Sequence, residues 1–142
     1  MAIYLNANSD INGQEVTEGQ TVIKMSQVTV ASQPGMWNAS LSAFVAPVDG
    51  VYRATGSAMI GAGNKYPSGV VMGFSINKKG PFETNISNVL VSEYCQITFP
   101  PIAQTVEALL ALKKGDTVQL VFSGATRGKF GIGYSYFIIQ SV

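Results

Sequence analysis

The side chains that most often carry out catalysis are scarce in this chain. Its 142 residues include no histidine, one cysteine and eight carboxylates. Because histidine is the commonest general base and metal ligand, its absence excludes Ser-His and Cys-His nucleophilic sites. A carboxylate pair for glycoside cleavage would have to come from Asp10, Asp49, Asp116, Glu15, Glu18, Glu83, Glu93 and Glu107. We predict that the protein is not an enzyme and has no catalytic residues.

Three loop-like segments resemble ligand sites, and each has a simpler interpretation. Residues 10–15 alternate oxygen-bearing side chains before a glycine, but they lack the spacing and distal glutamate of a calcium loop. Residues 124–129 are rich in glycine and basic residues, but no helix follows to form a phosphate-binding loop. Residues 61–69 form a glycine-rich connection that could touch a partner. We predict no metal and no cofactor. Candidate partner contacts in these loops are Lys65, Tyr66 and Arg127.

Charge and hydrophobicity exclude two classes of partner. Charged residues make up 12% of the chain, about half the roughly 25% that is usual, and the net charge is +1. The nine basic residues are scattered and form no stripe for a phosphate backbone, so nucleic acid is not expected. No apolar run approaches the roughly 18 residues of a membrane span. The surface must be covered by uncharged polar residues, by other subunits, or by both.

The apolar pattern is almost entirely of period two, in short runs separated by turn residues, which predicts an all-β sandwich. Asn12-Gly13, Asp49-Gly50 and Lys114-Gly115 are typical turn pairs. Thr105–Leu112 has helix-forming residues, but the alternation after its turn favours a strand. The predicted strands are Ala2–Asn6, Thr21–Val30, Leu41–Ala46, Gly50–Ile60, Val70–Asn77, Ile86–Thr98, Gln104–Leu112, Thr117–Ser123 and Ile132–Gln140.

The domain organisation is simple, with residues 1–20 as an N-terminal arm or first strand and residues 21–142 as one sandwich domain. Ile3 and Tyr4 are further candidate partner contacts in the arm. The lone thiol, Cys95, has apolar neighbours and is expected to be buried and unreactive.

The last predicted strand is bulky and apolar on both faces. Tyr134, Tyr136 and Ile138 face one way, whereas Phe137 and Ile139 face the other. A sandwich strand normally keeps one face wet, so a doubly apolar strand indicates cover by the core on one side and by another subunit on the other. The alternative is a half-exposed surface with the tyrosine hydroxyls in water. Which face is the core stays open.

One segment resembles the signature of the globular head of the complement first-component recognition protein, a tumour-necrosis-factor-like jelly roll. The residues that carry the resemblance are Trp37, Phe44, Pro47, Asp49, Gly50 and Tyr52, followed downstream by residues 112–120. Pro47 stiffens the strand exit, Asp49-Gly50 makes a turn, and Phe44 and Tyr52 can pack across it.

The resemblance implies a jelly-roll β-sandwich of nine to ten antiparallel strands that forms a homotrimer, with the first and last strands near the three-fold axis. The predicted trimer interface is Met59, Tyr134, Tyr136 and Ile138. The family has aromatic residues where this chain has Ala54 and Gly56, so bulk must come from elsewhere, and Met59, Met72 and Tyr136 are the candidates.

The N-terminus lacks the basic start and long apolar stretch of a secretory signal, and the chain has no collagen-like run. Free-standing jelly-roll trimers resemble the decoration or cement proteins of phage capsids. We therefore expect a trimer made in the host cytoplasm that binds the major capsid protein on the outer surface of the virion and bridges its subunits. The alternative is the tip of a phage tail fibre that recognises host surface glycans through loops at the end of the sandwich.

Overall fold

The computed structural model describes residues 2–9, 14–16, 19–60, 70–77, 89–95, 102–124 and 130–142. Every regular element in these ranges is a β-strand. The described residues therefore contain no helix that could cross a bilayer. The strands are β1 (Tyr4–Ser9), β2 (Gln14–Val16), β3 (Gly19–Val22), β4 (Gln27–Ala31), β5 (Trp37–Asn38), β6 (Ala43–Val45), β7 (Gly50–Ile60), β8 (Val70–Asn77), β9 (Val89–Cys95), β10 (Ile102–Leu112), β11 (Thr117–Gly124) and β12 (Phe130–Ser141).

Sheet A has the strand order β10-β7-β12-β1-β4, and β2 pairs with the start of β12. All of its pairs are antiparallel. Ile138 of β12 lies opposite Asn6 of β1 on one side and Thr55 of β7 on the other. The first and last strands are therefore neighbours near the middle of this sheet.

Sheet B has the order β5-β6-β11-β8-β9, and β3 also pairs with β11. Strands β6 and β3 share one edge of β11. β6 pairs with Thr117 and Val118, whereas β3 pairs with residues 121–124. Gln119 and Leu120 are left between the two partners, where the backbone N–H of Ile23 reaches the Leu120 carbonyl at 2.9 Å.

The core lies between the two sheets. Phe74 of sheet B packs edge-to-face on Phe137 of sheet A, with ring centroids 5.6 Å apart. Burial of each such side chain contributes about 1.5–3 kcal/mol to folding. The largest fully buried side chains are Tyr52, Phe44, Phe74, Phe137, Leu5, Ile23, Met36 and Met72.

The all-β prediction is confirmed, and each predicted strand corresponds to at least one observed strand. The ambiguous segment 105–112 belongs to β10, where exposed and buried residues alternate strictly. The short strands β2 and β5 are additional to the nine that were predicted.

Two predicted strands differ from the structure. Thr21–Val30 is divided between β3 in sheet B and β4 in sheet A, because residues 23–26 cross from one sheet to the other. Ile23 and Met25 stay buried during the crossing, so the alternation continues although the strand does not. Leu41–Ala46 shortens to β6 because Ser42 has a φ of 49°, outside the β region.

Gly56 faces the core, and Leu120 supplies the bulk there. A Cβ at residue 56 would lie 2.9 Å from Leu120 Cδ2 and closer still to Cδ1. Of the three residues proposed to supply bulk, only Met72 is a core residue. Met59 and Tyr136 face outward, as described below.

Candidate assembly surface

Strand β12 directs one row of side chains into the core and the other out of the sandwich. Phe137 and Ile139 are 1% and 0% exposed and belong to the core. Tyr136 and Ile138 are half-buried, and Tyr134 is 54% exposed. The face of the last strand that forms the core is thereby settled, and the row of Tyr134, Tyr136 and Ile138 lies on the outer face of sheet A.

A β-bulge shapes the start of this outer row. The register between β12 and β7 shifts between Gly133 and Tyr136. Within the shift, Tyr134 has a φ of 39°, which costs a non-glycine residue on the order of 1–3 kcal/mol. Bulges redirect side chains, and this one directs a large aromatic ring into solvent.

Strand β7 completes the predicted interface. Met59 is 38% exposed and lies opposite Gly133. Ser57 and Thr55 lie opposite Tyr136 and Ile138. The structure therefore brings together all four residues that were predicted for the interface, on adjacent strands and on one face.

The outer face of sheet A extends beyond these four residues. Among the described side chains, six of the nine large hydrophobic residues that are exposed lie on it. We define the assembly face as Tyr4, Val30, Val51, Met59, Leu109, Tyr134, Tyr136 and Ile138.

Three residues of the assembly face were missed by the sequence reasoning, namely Val30, Val51 and Leu109. Leu109 is the most exposed of them, at 61%. Its strand carries the same signal as β12, because Leu109 and Ala111 alternate with the buried Ala108, Leu110 and Leu112. A strand that is apolar on both faces could have been recognised there as well.

Charge on this face is balanced locally. Arg53 Nε lies 3.8 Å from Glu107 Oε1, and both side chains are about half exposed. An exposed pair of this kind stabilises the fold little, about 0–1 kcal/mol. It does leave the strip between Val51 and Leu109 without a net charge, which favours burial against a neutral surface.

No protein-family model matches the chain, and no curated protein matches it. Solved structures do match. The globular domain of zebrafish complement 1qA has a TM-score of 0.68 over 96% of this chain and 94% of that one, at 13% identity. The Eiger tumour necrosis factor of S. frugiperda has a TM-score of 0.66 over 99% and 93%, at 12% identity. Murine APRIL has a TM-score of 0.72 over the whole of both chains, at 10% identity.

The chain has the complement-1q and tumour-necrosis-factor jelly-roll fold. Identities of 10–13% establish the fold alone. The sequence resemblance is confirmed at the level of the fold.

The aromatic residues of the sequence motif link the two sheets of the jelly roll. Trp37 pairs with Phe44 in register, and its ring centroid lies 6.1 Å from that of Phe137. Phe44 and Tyr52 pack edge-to-face at 5.5 Å. The Tyr52 hydroxyl donates to the Val48 carbonyl at 2.7 Å, and burial raises the pKa of this hydroxyl above its ordinary value.

Asp49 ends the bend that precedes β7, Gly50 begins the strand, and the half-buried Pro47 lies in the same bend. Asp49 Oδ1 accepts the backbone N–H of Lys114 at 2.8 Å, which lowers the pKa of the carboxyl. The Lys113 ammonium, 3.5 Å from Oδ2, lowers it further. This turn is thereby joined to the β10-β11 turn of the jelly roll.

Asp116 has a structural role in the β10-β11 turn. It is 3% exposed, and its Oδ2 accepts the backbone N–H of Lys113 at 2.8 Å. Both aspartates that the sequence assigned to turns therefore bind backbone groups. Within the described ranges, no three carboxylate or cysteine side chains come together as metal ligands.

The candidate partner contacts divide into three groups. Tyr4 is 44% exposed and belongs to the assembly face. Ile3, placed beside it as a contact, is corrected to a core residue, because its side chain is 8% exposed and packs in the hydrophobic cluster. Lys65, Tyr66 and Arg127 lie outside the described residues.

Proposed function

We propose that this protein is a structural building block that assembles into a homotrimer through the assembly face, and that the trimer decorates the outside of a viral capsid. The observation that carries the proposal is strand β12, whose inner row fills the core while its outer row presents Tyr134, Tyr136 and Ile138 to solvent. A strand that is apolar on both sides is typical of a strand that is covered twice.

The assembly face has the composition of an interface centre. Interface cores are enriched in tyrosine and methionine and depleted of charge. Tyr4, Tyr134 and Tyr136 give the face three tyrosines, and its charged neighbours Arg53 and Glu107 neutralise each other. Concentration of exposed apolar residues on one sheet supports association through that sheet.

The number three comes from the family that the sequence resembles. In a closed three-fold ring, each copy presents one surface to the next and no surface is left over, so the assembly stops at a defined size. The low charge of the chain supports self-association as well, since little of the surface is kept in water by ionised groups.

The fold and the low charge of the chain support placement on a capsid. It is a jelly roll with few charged residues, so much of its surface is suited to contact with other proteins. Such a trimer would stabilise the capsid shell by bridging neighbouring shell subunits. Surfaces outside the assembly face remain for that contact.

The trimer is tested by sedimentation equilibrium at micromolar concentration. We expect a species of three times the 15.0 kDa chain mass. In Tyr136→Asp, each interface would have to bury a carboxylate without a partner, so we expect dissociation to monomers with the β-sheet circular dichroism retained. Val48→Asp is the matched control, because Val48 is 47% exposed but lies in a turn outside the face. A stable wild-type monomer, or a Tyr136→Asp variant that remains a trimer, would refute the interface.

The capsid role needs a separate experiment. Electron cryomicroscopy of the virions should show density for the jelly roll at three-fold or quasi-three-fold positions of the shell. Virions that contain the protein only at the tail would overturn decoration and favour the fibre-tip alternative, while leaving the trimer intact.

A further inference from the structure

A cleft lies on sheet B, away from the assembly face on sheet A. It has a volume of about 610 Å³, within the roughly 300–1,000 Å³ typical of small-molecule sites. Its lining comes from residues 22–26, residues 39–42 and Gln119. These segments meet at the edge of β11, in the gap that β6 and β3 leave between them.

Gln119 lies on the outer face of sheet B. Its neighbours Val118 and Leu120 belong to the core cluster, so alternation directs Gln119 away from the core. Residues 39–42 cover the Gln119 side chain, whose Nε2 donates to the Leu41 carbonyl at 2.5 Å. The residue is therefore 1% exposed even though it faces outward.

The Gln119 side chain retains an unused acceptor. Its Oε1 is buried and accepts no hydrogen bond within the described part of the chain, and the same holds for the Oγ of Ser75, which lies directly opposite on β8. Leaving a buried polar atom unpaired destabilises the folded state. The unpaired Gln119 oxygen, an acceptor only, marks a place where a hydrogen-bond donor is missing.

The loop over Gln119 is strained at the same place. Ser42 adopts a φ of 49° and is held there by the Met25 backbone N–H, which donates to Ser42 Oγ at 3.1 Å. Non-glycine residues in this region cluster at ligand sites. Because Gln119 Oε1 is closed to solvent, a ligand reaches it only when residues 39–42 shift, and relief of strain at Ser42 favours that shift.

The lining selects the ligand chemistry. Gln119 Oε1 requires a hydrogen-bond donor on the ligand. This requirement excludes a purely apolar ligand and disfavours an anion. Among the described residues that line the cleft there is no carboxylate and one charged residue, Lys24, which disfavours a cation. Ser42 Oγ keeps a proton to donate, and Ser40 Oγ, which donates to Asn38 Oδ1 at 2.8 Å, can still accept. Met25 and Leu41 add an apolar wall.

We infer that this cleft binds a neutral polyhydroxylated ligand, of the size of a monosaccharide unit, through Gln119, Ser40 and Ser42. Sugar hydroxyls donate and accept together, as this lining demands, and the C–H face of a pyranose ring matches Met25 and Leu41. The cleft lies on sheet B and the assembly face on sheet A, so binding is independent of the proposed trimer.

Ligand-detected saturation-transfer NMR on the intact protein tests the inference, with glucose, galactose, mannose, N-acetylglucosamine and their methyl glycosides. We expect saturable binding of at least one neutral sugar, and weaker binding of glucuronate and glucosamine. A methyl glycoside that binds as well as its parent would identify the terminal unit of a glycan as the source. Absence of saturable binding by every neutral sugar at tens of millimolar would overturn the inference.

Variants locate the site. Gln119→Met keeps the side-chain length but removes the acceptor Oε1, together with the Nε2 donor to the Leu41 carbonyl, so we expect at least about a tenfold loss of affinity. Gln27→Met is the matched control on the exposed strand β4 and should bind like the wild type. If Gln119→Met does not fold, Ser40→Ala at the exposed rim should also weaken binding. Unchanged affinity in a folded Gln119→Met variant would refute the site, and binding that persists in monomeric Tyr136→Asp would confirm its independence from assembly.

Discussion

Replacing Gly56 by alanine tests how the two sheets of the jelly roll fit together. Gly56 lies on β7 in sheet A, and Leu120 on β11 in sheet B fills the space that a side chain at residue 56 would need. Both methyl groups of Leu120 would meet the new Cβ at 2.9 Å or less. Leu120 is 1% exposed, so its side chain cannot turn out into solvent to make room.

The expected cost follows from two opposing effects. Overpacking a well-packed core by one methyl group costs about 1–3 kcal/mol. Alanine also restricts the conformations of the unfolded chain more than glycine does. Where the folded backbone tolerates alanine, this effect stabilises the folded state by about 0.4–1 kcal/mol. We therefore expect Gly56→Ala to lower the free energy of unfolding by about 1–2 kcal/mol, and the melting temperature by several degrees.

A double-mutant cycle with Leu120→Ala assigns the cause. Leu120→Ala alone should cost about 2–5 kcal/mol, because it leaves a cavity. In the double variant, the methyl group introduced at residue 56 enters that cavity, so the double variant should be more stable than the sum of the single changes predicts, by about 1–3 kcal/mol. Urea unfolding followed by circular dichroism, at one fixed protein concentration, measures all four proteins.

Gly115→Ala is the control for this cycle. Gly115 has a φ of 90°, and nothing lies within 4 Å of where its Cβ would be, so alanine there is strained by the backbone alone. Its cost should add to that of Leu120→Ala without coupling. If Gly56→Ala and Leu120→Ala were also additive, or if Gly56→Ala left the midpoint unchanged, the assignment of Leu120 as the filling residue would be wrong.

Two further predictions concern pH. The lowered pKa of Asp49 stabilises the fold above the ordinary carboxyl pKa of 3.8, and this contribution is lost as the pH falls through the folded value; Asp49→Asn should therefore flatten the acid side of a plot of stability against pH, and an unaltered acid limb would contradict it. The raised pKa of Tyr52 has the opposite consequence, because its stabilisation is complete below pH 10.0 and is lost as the pH rises through the folded value. Tyr52→Phe should remove this alkaline loss and lower the free energy of unfolding by about 1 kcal/mol at neutral pH, since the hydrogen bond to the Val48 carbonyl disappears. Thermal melts from pH 7 to 11 check Tyr52→Phe, and melts below pH 7 check Asp49→Asn. A Tyr52→Phe variant as stable as the wild type at pH 7 would show that the bond contributes nothing.

The sequence predicted those features that depend on local alternation. In β12, period two separated the inner row from the outer row, and the structure then showed which row is the core. In β10, the turn at Lys114-Gly115 favoured a strand over a helix, as observed. Alternation could not show that residues 23–26 cross between the sheets, because Ile23 and Met25 stay buried throughout.

Features that join distant segments could not be predicted in this way. The complementarity of Gly56 and Leu120 depends on how the two sheets are placed against each other. The cleft at Gln119 forms where residues 22–26 and 39–42 meet the edge of β11, and a glutamine within a strand gives no signal of it. Ile3 was wrong as a partner contact because the sequence did not show that β1, the strand that follows Ile3, lies inside sheet A between β12 and β4.

The pairing of β1 with β12 has a consequence for the timing of folding during synthesis. The Ile3 backbone N–H donates to Ser141 Oγ across a sequence separation of 138 residues, and β12 also separates β1 from β7. Such distant pairing slows folding, because a long loop must close before any contact compensates for it. On the ribosome, sheet A stays incomplete until residues 130–142 have emerged. Its outer face therefore forms only after β12 has been synthesised, so copies that still lack this strand cannot associate through it.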